Sequence, residues 1–412
     1  MRVSSTECLG NALNYSAFKP YLRMDIEQRP VAEKHFLNTT VHKISWSGLT
    51  VAIKDRRTGQ TRNILDNVEG LVNSGDCCAV MGPSGCGKTT LLNALARRPI
   101  NATVDGRVCI NSTQLPDAAF RHVTSFVEDH DTFIGSLTVR ETLQFASKLA
   151  GITHESQARI DTLLKSFGLV DQASALVEKG ISKGQKRRLA VAERLVTGPK
   201  ILFLDEPTSG LDSVPVFTLS ATYATLQSAT ISSLSLLLLS AGKTQYFGAR
   251  SAVIDYCEGI GVTIPQRVNP ADFLLELVNI DFSQDITAAS QRIADLQSLW
   301  QASNNAQLLC ESILATDRSS EGLSIQADDK PGIGGQLMTL LQRSFLKAYR
   351  DIMAYTFRLV MYMGLAILMG TLWLQLDRNQ DSIQLLINAL LVSCGFMAFM
   401  AVTYVPAFIE DH

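Results

Sequence analysis

Two short stretches carry residue types whose order points to chemistry rather than to structure alone. GPSGCGKTT, Gly82 to Thr90, follows the apolar CCAVM and leads into LLNALARR, so strand, glycine loop and helix succeed one another around G-x-x-x-x-G-K-[ST]. Glycines at 82, 85 and 87 let backbone N–H groups converge on phosphate oxygens, where the helix N-terminus also favours anions. Gly82, Ser84, Gly85, Cys86, Gly87, Lys88, Thr89 and Thr90 are the candidate nucleotide-binding residues. Lys88 is expected to reach the β- and γ-phosphates and the Thr89 hydroxyl to ligate Mg²⁺. In KILFLDEPTSGLDS, Lys200 to Ser213, four apolar residues run into Asp205 and Glu206. An aspartate ending a buried strand suits a metal held through water, and a carboxylate beside it can orient or deprotonate the attacking water. Asp205 is thus the metal-side candidate and Glu206 the candidate general base. Paired acids after a strand more often merely begin a loop, but the upstream glycine loop and the PTSGLD that follows favour the functional reading.

These residues need a scaffold that holds two strand ends side by side. Strand-like LTVAIKD, DCCAVMG and KILFLDE alternate with helix-like TTLLNALARR and QKRRLAVAERLVTG, which predicts an α/β P-loop domain over residues 35–280. Residues 1–34 hold no apolar run and read as a flexible lead-in rather than a secretory signal. Residues 281–335 read as a polar, partly helical connector ending in the turn-rich DDKPGIGG. Over 336–358, apolar Leu337, Leu341, Phe345, Tyr349 and Ile352 recur at helical spacing among basic residues, predicting an amphipathic juxtamembrane helix.

The last part, 359–412, differs in kind. Leu359 to Leu376 and Ile383 to Ile409 are uncharged runs, and a helix of roughly 20 such residues spans a bilayer core. Arg343, Lys347, Arg350 and Arg358 precede the first run, whereas the DRNQDS between the two carries one arginine and two aspartates. That asymmetry predicts an integral membrane protein with its N-terminal domain in the cytosol. With 37 basic and 39 acidic residues there is no charge excess pointing to nucleic acid. Cys8, Cys77, Cys78, Cys86, Cys109, Cys257, Cys310 and Cys394 lack any ligand spacing and read as reduced cytosolic thiols.

On these motifs the chain resembles the ATP-binding cassette transporters. GPSGCGKTT is similar to their Walker A, ILFLDEP to Walker B, and ISKGQKRR, Ile181 to Arg188, to the signature usually written LSGGQ. Ser209, Gly210, Leu211 and Asp212 match the D-loop. Within that family it resembles the G subfamily, of the white and pleiotropic-drug-resistance type. GSLTVRETLQFA from Gly135, NPADF from Asn269, RSFLKAYRD from Arg343 and the order of nucleotide domain before membrane domain carry that likeness. The resemblance implies a partner nucleotide-binding domain, with ATP and Mg²⁺ sandwiched between the Walker residues of one domain and the signature of the other. Ser182, Lys183, Gly184 and Gln185 would face the partner's ATP. It further implies export of lipids or a hydrophobic transport substrate across the bilayer, driven by closure and hydrolysis. Lys186, Arg187 and Arg188 read as a solvated helix face in preference to phosphate contacts.

Three departures stand out. Lys183 occupies a glycine position of the signature, where a side chain crowds the partner's phosphate. Asp129, or Glu128 if the loop slips by one, stands where the family has its metal-coordinating Q-loop glutamine. A carboxylate still ligates Mg²⁺ but adds negative charge beside the triphosphate. The family's switch histidine is absent, since the histidines are His35, His42, His122, His130, His154 and His412. Between Ser213 and Tyr246 the fold would need two helices, three strands and the switch loop, at roughly 11 residues per helix and 5 per strand. The interval is too short for all of them. It parses as a helix through VPVFTLSATYATLQS, then ATIS running into SLSLLLL, a SAGK turn and a TQYFG strand, with Ser232 or Ser233 near a join.

The resemblance to the G subfamily implies six spans per membrane domain, and the sequence ends just past the second, so a truncated form is expected. Three functions compete: the ATP-binding part of a G-type exporter, a weakly hydrolysing partner of a complete half-transporter, and a soluble cassette ATPase, which the apolar runs disfavour. Trp46 is either an adenine-stacking residue or a core tryptophan.

Overall fold

A computed structural model describes residues 36, 38–54, 59–129, 132–152, 156–206, 233–265, 267–280, 286–318, 332–350, 352–373 and 383–402. Its strands are β1 (Lys43–Lys54), β2 (Thr61–Asn73), β3 (Cys77–Met81), β4 (Thr103–Ile110), β5 (Thr124–Val127), β6 (Ile201–Leu204), β7 (Leu234–Ser240) and β8 (Lys243–Ala249). The helices that position the site are α1 (Lys88–Leu95), α2 (Asp117–Val123), α3 (Val139–Leu149), α4 (Ser156–Ser166), α5 (Lys183–Leu195), α6 (Val253–Gly259) and α7 (Pro270–Leu277). They are followed by α8 (Ile286–Ala302), α9 (Asn304–Arg318), α10 (Ile333–Arg350), α11 (Ile352–Leu372) and α12 (Ile383–Val402).

The strands form an antiparallel sheet β2-β1-β4, a mixed sheet β3-β7-β8 and a parallel pair β5-β6. In β7, SLSLLLL, the leucine run is buried from Leu236 to Leu239, as expected of a strand covered on both faces. It pairs in parallel with β3 and then turns through Ala241 and Gly242, both at positive φ (47° and 76°), into antiparallel β8. Two such residues are what a two-residue hairpin of right-handed twist requires. A Cβ on Gly242 would lie 2.0 Å from the Ile64 carbonyl oxygen, so this glycine is also needed for close approach to β2.

Among the described residues no strand joins β3 to β6. The whole of β3, although apolar, is only half-buried. Each of these two strands therefore keeps one edge without a ladder partner in the described fold.

Two hydrophobic cores result. The larger packs the antiparallel sheet, β7 and β8 around α1, with Phe120 of α2 and Cys257 of α6. The smaller gathers α3, α4 and α5 against Val127, with Phe36 capping it. The stretch read as a connector is part of the larger one. Helix α8 buries Ile293, Leu296 and Trp300, and the Trp300 ring lies 5.7 Å from Tyr246 and 5.9 Å from Tyr256. Those positions recur at three- and four-residue spacing, so α8 has an apolar stripe despite its polar composition.

Helix α10 ends at Arg350, and α11 begins at Ile352, earlier than the sequence boundary at 358. The Tyr362 and Phe396 rings of α11 and α12 meet at 6.1 Å, while Leu359, Val360, Ile367, Leu390 and Leu391 stay exposed. Counted over the described residues, no helix is long and apolar enough to cross a membrane, and the runs 359–376 and 383–409 extend beyond those residues.

The end of α10 is fastened to α3. Arg350 donates from Nη1 to Glu141 Oε2 at 2.6 Å and from Nη2 to Glu141 Oε1 at 2.8 Å, and also to the Ser136 carbonyl at 3.0 Å. Glu141 closes the α3 capping box with Thr138 as well. The hydrogen-bonded Arg350 guanidinium holds the Glu141 carboxyl below its ordinary value of 4.5. A depressed carboxyl stabilises the docked state above the ordinary pKa, and that contribution fades as pH falls through the depressed value. Amide protection factors over residues 136–143, corrected for the intrinsic exchange rate at each pH, should therefore fall as the pH is lowered from 7 to below 4. In Glu141→Gln they should be low already at pH 7; a variant as protected as the wild type would show that the pair does not fasten α10.

Candidate nucleotide site

The glycine loop takes the form its sequence requires. Gly85 and Gly87 hold φ of 74° and 107°, and Gly87 is the N-cap of α1. At Gly82 a Cβ would lie 2.2 Å from the Leu239 carbonyl oxygen and 2.6 Å from Cys86 Sγ, because β7 runs directly alongside. Lys88 Nζ donates to the Gly82 carbonyl at 2.9 Å and the Pro83 carbonyl at 2.8 Å, so the ammonium folds back over the loop. Ser84, Gly85 and Thr89 are exposed, Thr90 is half-buried and Cys86 is buried. Burial pushes the Cys86 thiol up, against the opposing pull of Lys88.

The glycine loop meets the acidic strand end through one hydrogen bond. Thr89 Oγ1 donates to Asp205 Oδ1 at 3.2 Å, with Asp205 buried at the end of β6. A hydroxyl and a carboxylate oxygen at that separation are hard ligands suited to Mg²⁺. Glu206 is exposed beside them, with its backbone in the left-handed region at φ 43°. A bulky residue is strained there, and such strain gathers at working sites.

The solvated-face reading of Lys186 to Arg188 fails at its middle residue. Arg187 is 2% exposed. Its Nη1 donates to the Glu128 carbonyl and, at 3.3 Å, to that of Asp129. Its Nη2 donates to the carbonyls of Asp205 at 2.6 Å and Glu206 at 3.2 Å. One cation thus ties the ends of β5 and β6 to α5. Arg188 donates to the Phe167 carbonyl at 2.7 Å and Lys186 to the Glu178 carbonyl at 3.4 Å, and both residues are half-buried. A signal was present: Ala190, Val191 and Leu195 follow Arg187 at three, four and eight residues, placing it on the buried stripe.

Glu128 is engaged by an ion pair with Arg98, whose guanidinium also lies 4.5 Å over the Phe126 ring. Asp129 follows, half-buried. Ser182 caps α5, accepting from Gln185 N at 3.2 Å while its own N–H donates to Gln185 Oε1 at 2.8 Å. Lys183 and Gly184 form the first turn of α5, with Lys183 exposed. Ser209 to Asp212 lie outside the described residues. Trp46 is buried, packed edge-on to Phe247 at 6.0 Å, and a Cβ on Gly70 would sit 2.1 Å from its ring. It is a core tryptophan, not a surface for stacking a base.

Fold and site together define an α/β P-loop ATPase domain followed by a membrane-type helical region. The family model "ABC transporter" matches residues 65–209, and two models described as "ABC-2 type transporter" match residues 335–412 and 230–357. ABC transporter G family member 1 of Petunia hybrida is 31% identical, over 89% of this chain and 62% of the relative. ABC transporter G family member 13 of Arabidopsis thaliana is 32% identical, with the same coverage of 89% and 62%. The ABC transporter ATP-binding protein/permease wht-1 of Caenorhabditis elegans is 29% identical over 77% of this chain and 53% of its own length. A solved structure titled as an ATP-binding subunit of an ABC transporter aligns with 57% of this chain and 99% of its own, at TM-score 0.46 and 21% identity. The chain carries an ABC transporter ATPase domain followed by ABC-2 type membrane regions, and the first two of these relatives are members of the ABC transporter G family. The chain spans about three fifths of the length of those two.

Proposed function

We propose that this chain is the ATP-binding, membrane-anchored part of a G-type exporter of lipids or hydrophobic small molecules, and that its own hydrolysis is slow. The observation that carries the ATP reading is the Thr89–Asp205 hydrogen bond, which joins the glycine loop to the buried acid at the point where a nucleotide-bound cation would sit. In this reading the loop N–H groups and Lys88 bind the phosphates, and Thr89 and Asp205 hold Mg²⁺, with Asp129 facing it from the loop after β5. The cation, when bound, neutralises charge on the β- and γ-phosphate oxygens. Glu206 accepts a proton from the attacking water, and the α5 N-terminus at Ser182, Gly184 and Gln185 meets the partner domain's terminal phosphate. Ser209 to Asp212 complete the contact between the two domains. The runs 359–376 and 383–409 anchor the domain on the cytosolic side, and Arg350 couples it to them through Glu141. Passage of a substrate needs further helices besides these two.

Slow turnover is favoured by a specific observation. No histidine occurs between His154 and His412, and β3 and β6 share no neighbouring strand among the described residues. Glu206 then lacks the partner that helps hold its water. A weakly hydrolysing partner of a complete half-transporter is the second reading, and it rests on the same feature. Release of phosphate from labelled ATP by the purified chain should fall by no more than about threefold in Glu206→Gln, because little general-base catalysis remains to be lost. A rapid wild-type rate that Glu206→Gln cuts by orders of magnitude would overturn the slow-turnover reading.

A further inference from the structure

We infer that Arg292 is a ligand of the nucleotide's terminal phosphate, a role that none of the chain's motifs assigns. This rests on the glycine loop being an ATP site. A cavity of about 610 Å³ opens beside that loop, lined by Gly82, Pro83 and Ser84 of the loop together with Glu276, Asn279 and Arg292. Two of its lining residues are those on which the phosphate-binding lysine rests. Lys88, whose ammonium reaches the β- and γ-phosphates in a P-loop, rests on the carbonyls of Gly82 and Pro83, which places the cavity toward the terminal phosphate of a bound ATP.

Arg292 is exposed on α8, and one hydrogen bond links it to the segment packed near the loop. Its Nη2 donates to the Asn279 carbonyl at 3.1 Å. The neighbouring Val278 carbonyl accepts from the buried Ser240 hydroxyl at 2.8 Å, and Ser240 ends β7 next to Leu239, against which Gly82 is packed. The guanidinium is therefore carried on α8 but registered to the glycine loop through the end of β7. Its remaining donors form a planar fork suited to a phosphate, and it makes no ion pair among the described residues. Glu276 shares the cavity wall and repels an anion, so a phosphate there needs Arg292 to offset it. With no histidine between His154 and His412, this arginine gives the site a cation facing the end of the triphosphate in addition to Lys88.

A terminal-phosphate ligand separates ATP from ADP, which a scaffold residue does not. The full-length chain, purified in detergent, is titrated with fluorescent ATP and ADP analogues. In Arg292→Ala, ATP affinity should fall at least tenfold while ADP affinity changes less than twofold. Arg292→Gln retains a donor for the Asn279 carbonyl and removes the charge, so it should lose the same ATP preference with an unchanged melting temperature. Glu276→Gln should tighten ATP alone. Equal losses for both nucleotides, or an unchanged ATP-to-ADP ratio in Arg292→Gln, would overturn the assignment and leave the ATP site standing. A wild-type chain that binds neither nucleotide would remove the ATP site and this inference with it.

Discussion

Replacing Lys88 with alanine should raise the dissociation constant for MgATP by two to three orders of magnitude while moving the melting temperature by no more than about 4 °C. The structure shows the ammonium held by two loop carbonyls, Gly82 and Pro83, at 2.9 and 2.8 Å. These are neutral acceptors at the loop's rim, and losing them costs about 1 kcal/mol because water replaces the donor. Phosphate oxygens are a different case. Each charge-assisted hydrogen bond to them is worth about 1.5–3 kcal/mol, and two such bonds toward the lower end of that range amount to roughly 3–4 kcal/mol, or about 100- to 1000-fold in affinity. Titration calorimetry on wild type and variant, with thermal denaturation of both, separates the two effects. An affinity within threefold of the wild type would mean that Gly82 to Thr90 does not hold the triphosphate. A large loss of stability alongside weak binding would mean that Lys88 props the loop rather than serving its ligand.

The parts of this site that were legible in the sequence are those made by neighbours along the chain. CCAVM followed by GPSGCGKTT dictates a strand, a glycine loop and a helix because the apolar run, the positive-φ positions and the N-cap are all local. SLSLLLL, SAGK and TQYFG specify a hairpin for the same reason, and Ser182 with Gln185 specifies a capped helix start. What was not legible depends on contacts between distant segments. Leu236 pairs with Ala79, and Phe203 with Phe126, across long stretches of chain, and no local pattern fixes those partners. The burial of Trp300 against Tyr246 depends on where α8 lands on β8, so composition alone made 281–335 look like a spacer. The start of α11 at Ile352 was hidden because Tyr349, Ile352 and Phe345 continue one apolar period across the break after Arg350. At Arg187 three consecutive basic residues suggest solvent, although its place on the helix wheel says otherwise.

Arg187→Ala should be the most damaging single change in the domain, lowering stability by about 3–5 kcal/mol. The guanidinium serves four carbonyls, those of Glu128, Asp129, Asp205 and Glu206, and the residue is 2% exposed. Truncation leaves those acceptors without their donor in a place water reaches poorly, and it opens a cavity under two strand ends. For a domain of this size the apparent melting temperature should drop by roughly 6–20 °C, at about 2–4 °C per kcal/mol. Arg187→Lys keeps the charge but offers a single ammonium where a planar fork spans β5 and β6, so it should recover only about half of the loss. An alanine variant melting within 2 °C of the wild type would show that the carbonyls find other donors. The effect should reach the site as well, because β3 and β6 share no ladder among the described residues. Asp205 and Glu206 are held on their backbone side by Arg187, and Asp205 on its side-chain side by Thr89. With the backbone hold released, Asp205 loses its fixed distance to Thr89. MgATP affinity should then fall more than that of metal-free ATP, a difference that general loosening of the domain would not produce.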